Sequence, residues 1–240
     1  MASKPRITKA YTLGFAATVT IVCSVLLASA AALLKERQDT NIKVDIKWNI
    51  LSVLDLVDSK DVSTEHVFEL YESNINSFVV DPDGNRVEGE IAEEIDPKAK
   101  PGLLPVFAKQ DGDSVLAYCI PIQGKALWST VKGYLALEND LNTVKGITFY
   151  SHGETPGLGG EIDKEWFKDG FEGKTILDES GNLVSIKIVK GKLREGESDL
   201  EHKVDGISGA TLTTKGLNEF IKETLEKYEP YFDRVRGATS

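Results

Sequence analysis

The chain has 240 residues, a formal net charge of −10 and two cysteines. That length can bury a sizeable core in one or two domains. The acidic balance argues against a nucleic-acid partner, because phosphate backbones demand basic faces. Cys23 and Cys119 stand far apart and offer no disulfide framework, iron–sulfur centre or structural zinc site.

Residues 1–9 carry Lys4, Arg6 and Lys9, and residues 10–34 then carry no charge. At 1.5 Å per residue this run spans about 35 Å, enough for a bilayer core, and predicts a transmembrane helix. Ala28-Ser29-Ala30 resembles a signal-peptide cleavage site, but the apolar run is longer than a signal needs and continues through Leu33 and Leu34. A retained anchor is therefore expected. A lipoprotein reading through Cys23 meets a poor lipobox in Thr20-Ile21-Val22. The basic residues before the span lean towards a cytoplasmic N-terminus and an exported remainder, although Lys35 and Arg37 follow the span.

Beyond the span, Ile46, Ile50, Val53, Leu54 and Val57 recur at helical spacing, which predicts a stalk helix. Ser63-Thr64-Glu65 starts a short helix through Tyr71, and Asp81-Pro82-Asp83-Gly84-Asn85 makes a turn. That turn is no calcium loop: its glycine is misplaced and Ala92 stands where the bidentate glutamate belongs. Pro97, Pro101 and Pro105 form a proline-rich connection, which divides residues 35–104 from a main domain at 105–240. Short strands are expected at 105–108, 115–120, 133–137 and 144–150, a helix at 161–171 and a strand at 183–189. Leu217, Phe220, Ile221, Leu225 and Tyr228 mark a C-terminal helix that Pro230 ends or kinks. The class is α+β: one transmembrane helix, then a mixed helix and sheet domain.

Gly173-Lys174-Thr175 lacks the first glycine of a phosphate loop, and Gly157-Leu158-Gly159-Gly160 misses the dinucleotide fingerprint. The glycine-rich stretch SHGETPGLGG, residues 151–160, lets a backbone approach a ligand closely, or is simply a structural loop. His152 and Glu154 alone make an incomplete metal site, so no metal ligand is assigned. The stretch DGISGATLTT, residues 205–214, precedes the C-terminal helix. Thr211, Thr213 or Thr214 could cap that helix, and its amide end favours a phosphate beside Thr211.

In combination these stretches are specific. A single span is followed by Leu127-Trp128-Ser129, Gly133-Tyr134-Leu135-Ala136-Leu137-Glu138, the loop running from His152 to Glu161, and Asp205-x-x-Ser208-Gly209-Ala210-Thr211. The chain resembles the NqrC family, the C subunits of the Na+-translocating NADH:quinone oxidoreductase of bacterial inner membranes. The resemblance implies an FMN-binding domain on the periplasmic side, with FMN joined by a phosphoester to Thr211. A separate flavin transferase, using FAD and a divalent metal, would make that bond by recognising Asp205, Ser208, Gly209 and Ala210. Glu154, Thr155, Leu158 and Gly159 carry over as flavin contacts. Thr211 is then an anchor and no residue is catalytic, the redox chemistry lying on the flavin. The implied function is electron relay within a membrane complex of several subunits that oxidises NADH, reduces ubiquinone and exports Na+. Two alternatives remain at this level: the G subunit of the ion-translocating ferredoxin:NAD+ oxidoreductase (Rnf), and an anchored, flavin-free interaction protein.

Overall fold

The computed structural model describes residues 8–239 except 59, 60, 97, 98, 113 and 195. Most of the expected cytoplasmic segment, residues 1–9, lies outside the described residues, as does Pro97 of the proline-rich connection. The chain divides into two compact units, Met1–Val44 and Asp45–Ser240.

Helix α1, Lys9–Val53, is continuous, and its N-terminal part is long and apolar enough to cross a membrane. Tyr11, Phe15, Ile21, Leu26, Leu27 and Leu33 stand exposed along it. A water-facing helix would not present such an unbroken apolar surface.

The second unit begins within α1. Its last turns bury Ile50, Leu51 and Val53, and Leu54 just beyond them is buried too. Helix α2, Thr64–Asn74, starts where the Ser63 hydroxyl accepts a bond from the His66 amide. Strands β1 (Ile75–Val80), β2 (Arg86–Val87), β3 (Leu104–Asp111), β4 (Ser114–Lys125), β5 (Thr130–Glu138) and β6 (Val144–Ser151) form one antiparallel sheet, ordered β2-β1-β3-β4-β5-β6. Short 3-10 turns at Gly159–Asp163 and Asp169–Phe171 bracket α3, Glu165–Lys168. A parallel pair, β7 (Lys187–Ile188) and β8 (Lys203–Val204), leads into α4, Thr211–Thr239.

Alternate residues of a strand face opposite sides of a sheet. Val106, Ile120, Ile122, Leu135 and Leu137 share a core with Leu217, Phe220, Ile221, Leu225 and Tyr228 of α4. The Tyr228 hydroxyl also donates to the Pro105 carbonyl at 2.7 Å. The end of α1 is tied to other sheet residues. Asn49 meets Thr148 at 3.5 Å, and the Lys109 ammonium donates to the Leu54 carbonyl at 2.9 Å, close to the helix end. Cys119 is fully buried and burial pushes its thiol well above the usual range, so it is an inert core residue.

Several expectations change. The proline-rich segment separates no domain: β1 precedes it and pairs with β3 along its whole length, so the 104/105 boundary falls inside one sheet. Strand β4 runs on through Pro121, because the β3 ladder ends at Cys119 and Pro121 pairs with β5 alone. The expected helix at 161–171 is broken into α3 and two 3-10 turns, and the strand at 183–189 shrinks to β7. Ser185 interrupts it with a φ of +65°. Pro230 does not end α4. It stands exposed while Tyr228, Tyr231 and Phe232 are buried around it, so packing carries the helix past the missing N–H.

Two tests follow from this architecture. Leu51→Ala should lower the unfolding free energy of the detergent-solubilised chain by about 2–5 kcal/mol, read from urea titration. Acid should also destabilise the domain. The Asn85 amide and side chain hold Asp81 low, and Asn182 does the same for Asp178. Burial pushes Asp140 up, but bonds from Thr143 and Asn142 outweigh it and leave it low. Folded values below the unfolded ones mean stability present above about pH 4 and lost as pH falls through the folded values. The urea midpoint should therefore drop as pH is taken below about 4.

Candidate functional site

Three segments distant in sequence meet at one end of the sheet. They are the turn joining β4 to β5, the loop leaving β6, and the first turn of α4. Antiparallel pairing dictates the first two: Lys132, near the start of β5, lies opposite Ser151, at the end of β6. The turn closes through an Ala126 N–H to Ser129 carbonyl bond of 2.9 Å. The Ser129 hydroxyl accepts from the Gly153 amide at 2.6 Å, drawing the loop onto the turn.

Glu154 joins all three. It is buried, and its Oε1 accepts from the Trp128 amide at 2.9 Å and the Ser129 amide at 3.3 Å. Its Oε2 accepts from the Thr213 hydroxyl of α4 at 2.6 Å. Gly159 is needed beside this contact, because a Cβ there would stand 2.5 Å from Thr213 Oγ1 and 2.9 Å from Glu154 Oε2. The loop closes on itself, with the Leu158 and Gly160 amides donating to the Thr155 carbonyl at 3.1 and 2.9 Å. Thr155 is exposed. His152 does not join Glu154 as a ligand pair. Its Nδ1 accepts from the Glu154 amide at 3.3 Å, and its Nε2 faces Asp163 at 3.7 Å.

The segment before α4 is held from the other side by β7 and the stretch that follows it. Asp205 Oδ1 accepts from the Leu193 amide at 2.7 Å, and the Gly206 amide donates to the Gly191 carbonyl at 2.6 Å. Asn218 of α4 donates to and accepts from the Ile188 backbone, at 3.0 and 2.8 Å. Ile207 and Ala210 point inwards, while Ser208, Gly209 and Thr211 are exposed. Gly209 adopts φ +78°, and a Cβ there would meet the Leu158 side chain at 2.7 Å. The loop after β6 and the turn before α4 are therefore in contact.

The three threonines have different fates. Thr211 is the first residue of α4, so none of them takes the capping position before it. That place falls to Ala210, whose carbonyl accepts from the Thr214 amide at 2.9 Å. Thr213 is committed to Glu154. Thr214 is buried and bonds back to the Ala210 and Thr211 carbonyls at 3.2 and 3.1 Å. Thr211 is exposed, and among the described residues its hydroxyl has no partner. The first amides of a helix lack intrahelical acceptors and favour an anion placed beside them. Exposed apolar side chains border these segments: Leu158 against Gly209, Leu212 in the first turn of α4, and, on the turn fixed by Glu154, Leu127 and Trp128. These four are 43%, 58%, 40% and 70% exposed.

The structure thus brings Glu154, Leu158, Gly159, Gly209 and the start of α4 together, and sets Asp205 apart as a brace of the segment before α4. Trp128, Ser129 and Thr213 were missed as site residues. The first two lay in the block that carried the family resemblance, and Thr213 was weighed only as a cap. No local pattern announces a glutamate that reaches back to a turn 25 residues upstream.

Residues 127–226, which contain every one of these segments, match the family described as an FMN-binding domain. With α1, this defines a membrane-anchored flavoprotein. The chain is 35% identical, over 90% of its length and 91% of the relative's, to the C subunit of the Na+-translocating NADH-quinone reductase of Pseudomonas aeruginosa. It is 36% identical to the corresponding C subunit of Vibrio vulnificus, with 98% of each chain covered. The crystal structure of the C subunit from Parabacteroides distasonis superposes with a TM-score of 0.72 at 34% identity, covering 83% of this chain and 96% of that one. The chain belongs to this family, the C subunits of the Na+-translocating NADH-quinone reductase, which is an oxidoreductase complex. These relatives do not favour the ferredoxin:NAD+ oxidoreductase alternative.

The crowded glycine gives a sharp test of the local frame. Gly159→Ala should lower the unfolding free energy by about 1–3 kcal/mol, read from urea titration, as overpacking does. A neutral outcome would mean that the loop is not held against Thr213.

Proposed function

We propose that this protein relays electrons through an FMN attached by a phosphoester to Thr211. The complex it serves would oxidise NADH, reduce ubiquinone and export Na+. The observation that carries the reading is the separation of the threonine hydroxyls: those of Thr213 and Thr214 are engaged in the interior, and that of Thr211 is exposed at a helix N-terminus. Ser208 is exposed too. The free amides of α4 are what favour a phosphate at Thr211 over Ser208.

Attachment replaces the Oγ–H bond of Thr211 with an Oγ–P bond. The pyrophosphate of FAD breaks, AMP leaves and the hydroxyl proton is released. A threonine hydroxyl is a weak nucleophile at neutral pH, so the step needs an outside catalyst, a flavin transferase. Asp205, Ser208, Gly209 and Ala210 would present the acceptor to it. Asp205 fixes the loop, Gly209 supplies the left-handed turn, and Ala210 turns inwards so that Thr211 faces out. Leu158, with Thr155 and Gly159 on the same loop, would lie against the ring together with Trp128 and Leu127. Glu154 would bear on the flavin by holding this frame. The bound flavin would accept electrons and pass them on, while the protein places it and tunes it.

The protein is read as single-pass in the bacterial inner membrane, with residues 1–9 cytoplasmic and the FMN domain periplasmic. The supporting signal is Lys4, Arg6 and Lys9 before the span. Its partners would be the other subunits of the complex. A covalent tether suits a domain exported away from the flavin pool, because a dissociated cofactor could not be replaced.

Co-expression with a flavin transferase, followed by denaturing electrophoresis under ultraviolet light, tests the attachment. The wild-type band should fluoresce and Thr211→Ala should be dark. A dark wild-type band would favour the flavin-free interaction protein, and a fluorescent Thr211→Ala would move the bond to another hydroxyl.

A further inference from the structure

We infer that Glu154 is a positioning residue that fixes where the flavin ring lies relative to its anchor. The inference rests on the proposed attachment at Thr211 and goes beyond it. A phosphoester at Thr211 fixes only the phosphate end of FMN. The ribityl chain between phosphate and ring is flexible, so something else must set the ring's position. Of the exposed apolar side chains bordering the site, Leu212 adjoins the anchor, while Leu158 and, on the turn between β4 and β5, Leu127 and Trp128 come from other parts of the chain.

Anchor and ring bed are joined through Glu154. One oxygen takes the backbone amides of Trp128 and Ser129, at 2.9 and 3.3 Å, and the other takes the hydroxyl of Thr213, two residues beyond the anchor, at 2.6 Å. Both oxygens are thereby used by the protein. The side chain is buried and does not present itself as a flavin contact. A buried carboxylate that loses its donors is costly, so the acid favours keeping the turn and the start of α4 together. Leu158 enters the same assembly, because its loop begins at Glu154 and its side chain rests on Gly209.

Glutamine can reproduce the assembly. Its carbonyl oxygen accepts from the turn amides, and its amide nitrogen donates to the Thr213 hydroxyl oxygen. Alanine cannot. Thr213→Val is close to isosteric and cuts only the arm to α4. None of these changes touches the Thr211 hydroxyl, so attachment and ring placement come apart.

The test uses the full-length chain, co-expressed with a flavin transferase and purified in detergent. In-gel fluorescence, with mass spectrometry of the labelled peptide, reads attachment. The visible circular dichroism of the flavin reads how rigidly the ring is held. Glu154→Ala and Thr213→Val should keep the label on Thr211 and lose most of the visible dichroism, while Glu154→Gln should retain both. If either Glu154→Ala or Thr213→Val is labelled and keeps the wild-type dichroism, the inference is overturned. If both lose the label, it is overturned as well, because Glu154 would then act on recognition of the acceptor. Should Glu154→Ala fail to fold, Thr213→Val decides alone. A wild-type chain without label would instead strike down the attachment reading, and with it this inference.

Discussion

A carboxylate cannot be taken out of water without donors to receive it. Glu154 is buried, and its donors come from residues 25 and 26 positions upstream and 59 downstream. That requirement makes three unrelated stretches into one structure. The turn between β4 and β5 offers its amides, the first turn of α4 offers a hydroxyl, and the loop after β6 supplies the acid. Once the bonds form, there is no room for a side chain at residue 159, and Leu158 is carried to Gly209.

The sheet makes this meeting possible. Its hairpins return the chain to the same end each time, so the β4–β5 turn and the exit of β6 are neighbours by pairing alone. Helix α4 packs its apolar stripe along the sheet and starts at that end. The last turns of α1 are tied to other residues of the same sheet through Thr148 and Lys109. A site built where rigid elements end, and fastened by buried polar bonds, holds its geometry better than one built on free loops.

What the sequence could show follows the range of the interactions. Helical stripes and strand alternation are local, and α2, the turn at 81–85, β5, β6 and α4 could be read from them. Pro230 was misleading, and β4 outran its expected end at residue 120, because a proline's cost depends on the neighbour it lacks. Pro121 faces no β3 partner and Pro230 faces solvent, and neither fact is local. The prolines around residue 101 look like a linker, yet pairing of β1 with β3 across them forms one sheet. Thr211 was legible through the family resemblance of its motif. Trp128, Ser129 and Thr213 were legible only as neighbours, because their role is a contact with Glu154 and no spacing encodes it.

The four hydroxyls of the SGATLTT stretch show what folding adds to a motif. In sequence, Ser208, Thr211, Thr213 and Thr214 are interchangeable small alcohols. In the structure they are sorted by the face of the chain on which each falls. Thr213 and Thr214 turn inwards, where a hydroxyl must find an acceptor, and they find Glu154 and the backbone. Ser208 sits before the helix, away from its first free amides. Thr211 alone combines exposure, an unused hydroxyl and the start of a helix. The chemistry proposed for it needs all three: access for an enzyme, an oxygen not already engaged as a donor, and a field that favours phosphate. The same helix turn that exposes Thr211 buries Thr213, so holding the one hydroxyl inside is what keeps the other outside.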